Sequence, residues 1–194
     1  MARRAVFLDR DGTVNVEADF LSDPQLLVLE DGAAEGLRAL QGAGFVLVVV
    51  SNQSGVARGL FTEDDVARVN DRLAAILAAE DVTIARFYYC PHHPEGTVPG
   101  YARTCECRKP APGMLTRAAD ELDIDPAASY TVGDRTRDLE AGRRAGTRCV
   151  LVRTGYGVNE VETALEMKAA DFVADDLPAA AAWIIADSGA GGRS

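Results

Sequence analysis

No stretch of this sequence reaches the ~20 consecutive apolar residues that a membrane span needs, so a membrane-embedded protein is not expected. Positive charge is also scarce. Twenty Lys and Arg stand against thirty Asp and Glu, a net charge of −10. That balance argues against a nucleic-acid binder, which carries a basic face. A small anionic substrate remains open, because the local field at a site decides that question. Lysine is nearly missing: Lys109 and Lys168 are the only two. A compact ammonium in a chain that otherwise uses arginine marks a position worth following. The apolar run Ala5–Leu8 after Arg3 and Arg4 stops at Asp9, too soon for an export signal, and a cytoplasmic protein is expected. In that reducing setting Cys90, Cys105, Cys107 and Cys149 are expected as thiols or metal ligands, not disulfides.

What the sequence does contain is an alternation. Apolar, β-branched runs at Ala5–Asp9, Phe45–Val50, Ile84–Tyr89, Tyr130–Gly133 and Cys149–Val152, with a weaker one at Phe172–Ala174, read as strands. Between them, helices are expected over Ala33–Ala43, from a Thr62 N-cap to about Ala79, over Pro112–Leu122, around Leu139–Ala145 and over Pro178–Ala186. Continuously apolar strands separated by helices predict an α/β fold: a Rossmann-like open parallel sheet with helices on both faces. Residues 1–187 are expected to form one domain and residues 188–194, mostly Gly, Ala and Ser, a flexible tail.

Four pieces fall at the C-terminal ends of these strands, where open α/β sheets bind ligands. They are Asp9 with Asp11, Ser51 to Gly55, Arg108-Lys109-Pro110, and Gly133-Asp134-Arg135 with Asp138. Each has a plain structural explanation alone: an acidic turn, a cap, a solvated lysine. In this order they suit phosphoryl transfer from a phosphate monoester, whose negative charge must be neutralised before it can be attacked. Asp9 and Asp134 are hard oxygen donors suited to Mg²⁺. Asp9 is placed to attack phosphorus as a nucleophile, and Asp11 to protonate the leaving alcohol and then activate water. Ser51 offers a hydroxyl to a phosphoryl oxygen, and Lys109 a mobile positive charge.

A second cluster combines Cys90, Cys105 and Cys107 with the only two histidines, His92 and His93. Three thiolates and one imidazole make a closed tetrahedral set for structural Zn²⁺. Position favours His92, with His93 as the alternative. Zinc would fix a Gly/Pro/Arg-rich loop that has too little apolar content to order itself. Cys149, in an apolar strand, is expected to be core.

The four pieces resemble the four motifs of the haloacid dehalogenase-like phosphatases, over nearly the whole chain. The resemblance implies Asp9 as nucleophile, Asp11 as acid/base and, through its backbone carbonyl, a Mg²⁺ ligand. It also implies Ser51 and Lys109 as phosphate-site residues, Asp134 as a metal ligand, and Asp138 as a second acid of the fourth motif. The zinc loop, the short intervals between motifs, and the runs Ser51–Gly59 and Tyr88–Pro94 resemble a capless group within it. That group acts on heptose bisphosphates or histidinol phosphate, and the heptose branch is the nearer. This implies removal of the 7-phosphate of a heptose 1,7-bisphosphate in nucleotide-activated heptose synthesis, by a monomer. Asn52, Gln53, Arg108 and Arg135 become the candidate substrate contacts, with Arg58 a further candidate cation. Glu17 to Asp23 is the least matched segment. A phospho-receiver domain also places an aspartate at a strand end, but Asp11 would shorten the life of its acyl-phosphate.

Overall fold

The computed structural model describes residues 2–190. Six strands pair in parallel: β1 (Ala5–Leu8), β2 (Val46–Asn52), β3 (Arg86–Cys90), β4 (Tyr130–Gly133), β5 (Arg148–Val152) and β6 (Phe172–Ala174), in the spatial order β3-β2-β1-β4-β5-β6. The β1–β2 register pairs Ala5 with Val46, and β1–β4 pairs Val6 with Tyr130. The order reverses direction at β1, so a crevice opens beside its C-terminal end.

Alternation along the strands divides the core. Val6 and Leu8 face one helical layer, α1 (Ala33–Gly42), α2 (Glu63–Ala79) and α6 (Leu177–Ala190), through Leu37, Leu73 and Ile184. Ala5 and Phe7 face the other, α3 (Gly113–Leu122) and α4 (Thr136–Ala145), through Leu115, Ala118 and Ala141. A smaller cluster around Leu139, Leu151 and Ala164 seats α5 (Gly157–Glu166) on β5. Burial of both faces is what the apolar strand pattern requires. Helix α2 begins as expected: Thr62 Oγ1 accepts from the Asp65 N–H at 3.2 Å, and the Asp65 carboxylate accepts from the Thr62 N–H at 2.7 Å.

Three elements differ from the sequence reading. Strand β2 runs on through Ser51 and Asn52, because these pair with Tyr89 and Cys90 of the edge strand although neither is apolar. Helix α5 was not expected. It starts without a side-chain cap and buries only Gly157 and Ala164; Val158, Val161 and Leu165 recur at helical spacing, but Val158 and Leu165 stay exposed. Helix α6 continues to Ala190, into what was read as tail; residues 191–194 of that reading lie outside the described residues. No helix among the described residues is long and apolar enough to cross a membrane.

Candidate active site

Three carboxylates converge beyond the sheet. Asp9 follows β1, Asp134 follows β4, and Asp138 sits in the first turn of α4. Carboxylate oxygens of all three lie within 4.8 Å of one another, and all three residues are buried. Two glycines make the approach possible. Gly12 has a φ of 78°, and a Cβ there would stand 2.5 Å from Asp134 Oδ2. At Gly133 a Cβ would meet Asp138 Cβ at 2.5 Å.

One ammonium stands against this charge. Lys109 is 2% exposed. Its Nζ lies 2.9 Å from Asp9 Oδ1 and 2.7 Å from Asp138 Oδ1, and it donates to the Val50 carbonyl at 2.7 Å. Burial works against this ammonium, but Asp138 and Asp9 outweigh it and hold its pKa above the usual lysine value. The sequence reading of Lys109 as a mobile charge is therefore corrected. Its ammonium is held between two carboxylates and a carbonyl, and its backbone is hooked by Asn52, whose amide exchanges two 3.0 Å hydrogen bonds with the Lys109 N–H and carbonyl.

The site is still short of positive charge. Burial, then the charges of Asp9 and Asp138, push Asp134 up to about 8. Burial and Asp138 raise Asp9 to about 6 despite Lys109. Carboxylates held this way favour either protons or a hard cation. The donor set fits a divalent oxygen-seeking ion, and no backbone N–H among the described residues donates to the Asp11 carbonyl.

The Asp11 side chain points elsewhere. It accepts from Arg10 through two nitrogens (3.2 and 3.0 Å), from Asn15 Nδ2 at 3.0 Å and from Gln53 Nε2 at 2.9 Å. Arg10 is itself buried and tied to Asn70 of α2 at 3.0 Å. Gln53 Nε2 also donates to Ser51 Oγ at 2.7 Å, which leaves the Ser51 hydroxyl proton free to donate elsewhere. Sequence reasoning missed Arg10 as a functional residue, although its place between the two aspartates was the available signal.

Asp11 opens into a pocket of about 300 Å³ whose wall includes Asn52, Gln53, Arg58, His93, Arg108 and Arg135. Asn52, Gln53, Arg108 and Arg135 are the substrate candidates read from the sequence, Arg58 the further candidate cation and His93 the alternative zinc ligand. The amides of Asn52 and Gln53 are largely engaged in holding Lys109, Asp11 and Ser51. Residues not foreseen also line the pocket: Arg137, Tyr156, and Glu17, Asp19 and Phe20 from the segment after β1. The Arg135 guanidinium stacks on the Tyr156 ring at 3.5 Å from its centroid. The Tyr156 hydroxyl donates to Asp19 Oδ1 at 3.1 Å, and its N–H to Asp134 Oδ2 at 2.8 Å. A groove of about 410 Å³ on the outer side of β3 holds none of the carboxylates of the cluster.

The second cluster assembles beside this pocket. The sulfurs of Cys90, Cys105 and Cys107 lie 3.2–3.5 Å apart, and His92 Nδ1 is 3.6 and 3.4 Å from Cys90 and Cys107. His93 is outside it, accepting from the Glu95 N–H and facing Arg58. Hydrogen bonding from Cys90 lowers Cys107 to about 5, against its own burial, whereas Cys90, bonded to Cys107 and buried, is raised. A set that already shares thiolate charge is suited to a soft cation. The loop reaches the pocket through Arg108, which donates to the His92 carbonyl at 3.2 Å. Cys149 lies apart, buried in β5 against Leu139 and Thr147.

A family model described as HAD-hydrolase-like matches residues 106–180. The D-glycero-β-D-manno-heptose-1,7-bisphosphate 7-phosphatase of Yersinia pestis is 48% identical over 175 residues, 89% of this chain and 90% of that protein. The protein of the same name from Escherichia coli strain K12 is 47% identical over 176 residues, 89% of each. Among solved structures, D,D-heptose 1,7-bisphosphate phosphatase from B. bronchiseptica, complexed with magnesium and phosphate, has a TM-score of 0.84 at 34% identity. It covers 95% of this chain and 99% of that one.

Proposed function

The chain belongs to the haloacid dehalogenase-like phosphatases, in the branch that holds the heptose-1,7-bisphosphate 7-phosphatases, and from this we propose that it removes the 7-phosphate of D-glycero-D-manno-heptose 1,7-bisphosphate. The observation that carries the reading is the buried meeting of Asp9, Asp134 and Asp138 with Lys109 at the reversal point of the sheet. The product, a heptose 1-phosphate, suits the synthesis of a nucleotide-activated heptose. We further propose that it acts as a monomer. We place the enzyme in the cytoplasm, as one domain that runs through α6 to Ala190.

Asp9, Asp134 and the Asp11 carbonyl would hold Mg²⁺. The ion would neutralise phosphoryl charge and restrain the carboxylates against their mutual repulsion. Asp9 Oδ1 is fixed by Lys109 and by the Arg10 N–H at 2.8 Å, which orients the carboxylate for attack on phosphorus. The new bond is an aspartyl-phosphate, and the P–O bond to the sugar breaks. Asp11, held by Arg10, Asn15 and Gln53, gives the leaving oxygen a proton and later takes one from the water that cleaves the acyl-phosphate. Ser51 donates to a phosphoryl oxygen, while Asn52 and Gln53 keep Lys109 and Asp11 in place. Asp138 holds Lys109. Arg108 and Arg135 face the rest of the sugar phosphate.

Phosphate release from a panel of both heptose 1,7-bisphosphate anomers and histidinol phosphate tests the reading. The highest kcat/KM should fall on a heptose bisphosphate. A higher value on histidinol phosphate would replace it.

Asp134→Ala should raise the Mg²⁺ concentration for half-maximal rate at least ~10-fold, because a carboxylate leaves the metal shell. The wild type should show the matching pH effect. Asp9 and Asp134, raised to about 6 and about 8, carry protons that the ion must displace. The Mg²⁺ requirement should therefore rise as pH falls through that range. Magnesium titrations at several pH values read both, and a requirement unaltered by the substitution would remove Asp134 from the metal shell.

Cys90, His92, Cys105 and Cys107 would hold one structural Zn²⁺. Cys105→Ser should lower zinc content and speed proteolysis between residues 90 and 109. It should also cut kcat/KM on the order of 10²-fold, because Arg108 and Lys109 follow Cys107 directly and small misplacements are costly. Cys149→Ser should do none of these. Full activity in wild-type protein shown by elemental analysis to carry no zinc would defeat the assignment.

A further inference from the structure

Arg137 stands in the first turn of α4, two residues after Arg135, and lines the same pocket. Three features make its position unfavourable for a cation. It lies at the positive end of a helix dipole. Its Nε is buried without a hydrogen-bond partner among the described residues, and such a desolvated donor is costly. It also shares the pocket wall with Arg58 and Arg108, and no ion pair to any of the three occurs among the described residues. Asp138, the acid of the same helical turn, is committed to Lys109. Arg135 differs, with the Tyr156 ring beneath it and Glu160 at 4.0 Å.

The pocket is also lined by Asp11, Glu17 and Asp19, yet among the described residues neither these nor any other carboxylate forms an ion pair with Arg58, Arg108 or Arg137. Guanidiniums that face a pocket without an ion-pair partner are what an anionic ligand group would satisfy. The nucleophile needs no such help at this distance, since Lys109 already occupies its side. A phosphoryl group bound at Asp9 leaves the remainder of its substrate in the pocket beside Asp11.

We propose that Arg137, with Arg58 and Arg108, receives the phosphate that is not cleaved, and that Arg137 is a specificity-determining residue selecting bisphosphates over monophosphates. This rests on the assignment of Asp9 as the cleavage site. It needs a second dianion on the substrate, whichever sugar carries it.

The test compares wild type with Arg137→Gln and Arg137→Lys on two substrate pairs: heptose 1,7-bisphosphate against heptose 7-phosphate, and fructose 1,6-bisphosphate against fructose 6-phosphate. In Arg137→Gln the ratio of kcat/KM, bisphosphate over monophosphate, should fall about 10- to 100-fold, the usual range for a lost charged hydrogen bond. The loss should appear mainly in KM. Arg137→Lys should recover part of it, because the charge is restored without the fork. The Tm of Arg137→Gln should be no lower than that of wild type. A ratio within twofold of wild type in both pairs overturns the proposal, as does an equal loss on both members with a lowered Tm. If the heptose pair shows no wild-type preference but the fructose pair shows one that Arg137→Gln removes, the heptose reading fails and the role of Arg137 stands.

Discussion

Asp9→Asn should leave no measurable turnover. The amide is nearly the same size, and its oxygen can still accept from Lys109 and the Arg10 N–H, which contact a single carboxylate oxygen. The fold should therefore persist with an unchanged Tm or a small shift. What is lost is the proposed nucleophile, since an amide cannot form the acyl-phosphate. Phosphate release over long incubations at high enzyme concentration is the measurement. A residual kcat above about 1% of wild type would exceed what oriented binding without a nucleophile should give, and the nucleophile would have to be sought elsewhere.

The second large effect concerns Lys109. Lys109→Met fills similar volume but leaves Asp9 and Asp138 buried with their cation gone. Breaking a buried pair from one side costs about 3–5 kcal/mol, roughly 6–20 °C in Tm for a chain of this size. Activity should fall by at least ~10³-fold, because Asp9 loses the group that orients it and the site becomes more negative as a phosphate approaches. The double variant Lys109→Met/Asp138→Asn separates the two effects. Neutralising Asp138 should return part of the lost stability and none of the activity. Single-variant activity within tenfold of wild type, at an unchanged Tm, would mean that the buried triad does not serve the reaction.

The chemistry-bearing residues were legible in the sequence where a strand delivered them. Asp9, Ser51 and Asp134 each close an apolar run, and a parallel sheet brings such ends together. Cys90, Cys105 and Cys107 stood out because cysteine is otherwise nearly missing. What could not be read depends on partners far away in the chain. Lys109 looks like an ordinary basic residue until Asp138 and the Val50 carbonyl are placed around it. Arg137 belongs to a run of charged residues whose outward and inward members differ only by helical phase. Tyr156 lies before a helix whose Val158, Val161 and Leu165 are spaced for a helix, but nothing in that spacing ties Tyr156 to Asp19 and Asp134. Strand β2 outlasts its apolar run because pairing with β3, not hydrophobicity, sets its end.

The central place of β1 bears on when this protein becomes an enzyme. One neighbour, β2, is drawn from the nearby segment Val46–Asn52, and the other, β4, from Tyr130–Gly133. The Asp9 N–H donates to the Val132 carbonyl at 2.9 Å, so Asp9 is seated only once that distant strand has docked. Asp134 and Asp138 arrive by the same event. A chain still emerging from the ribosome can pair β1 with β2 and wrap α1 and α2, yet it lacks two of the three carboxylates of its cluster. Contacts of such long sequence separation form late, because loop closure must be accomplished before they reward it. Competence to hydrolyse phosphate thus coincides with completion of the fold, and a partly made molecule has no crude version of the activity with which to act on cellular phosphate esters.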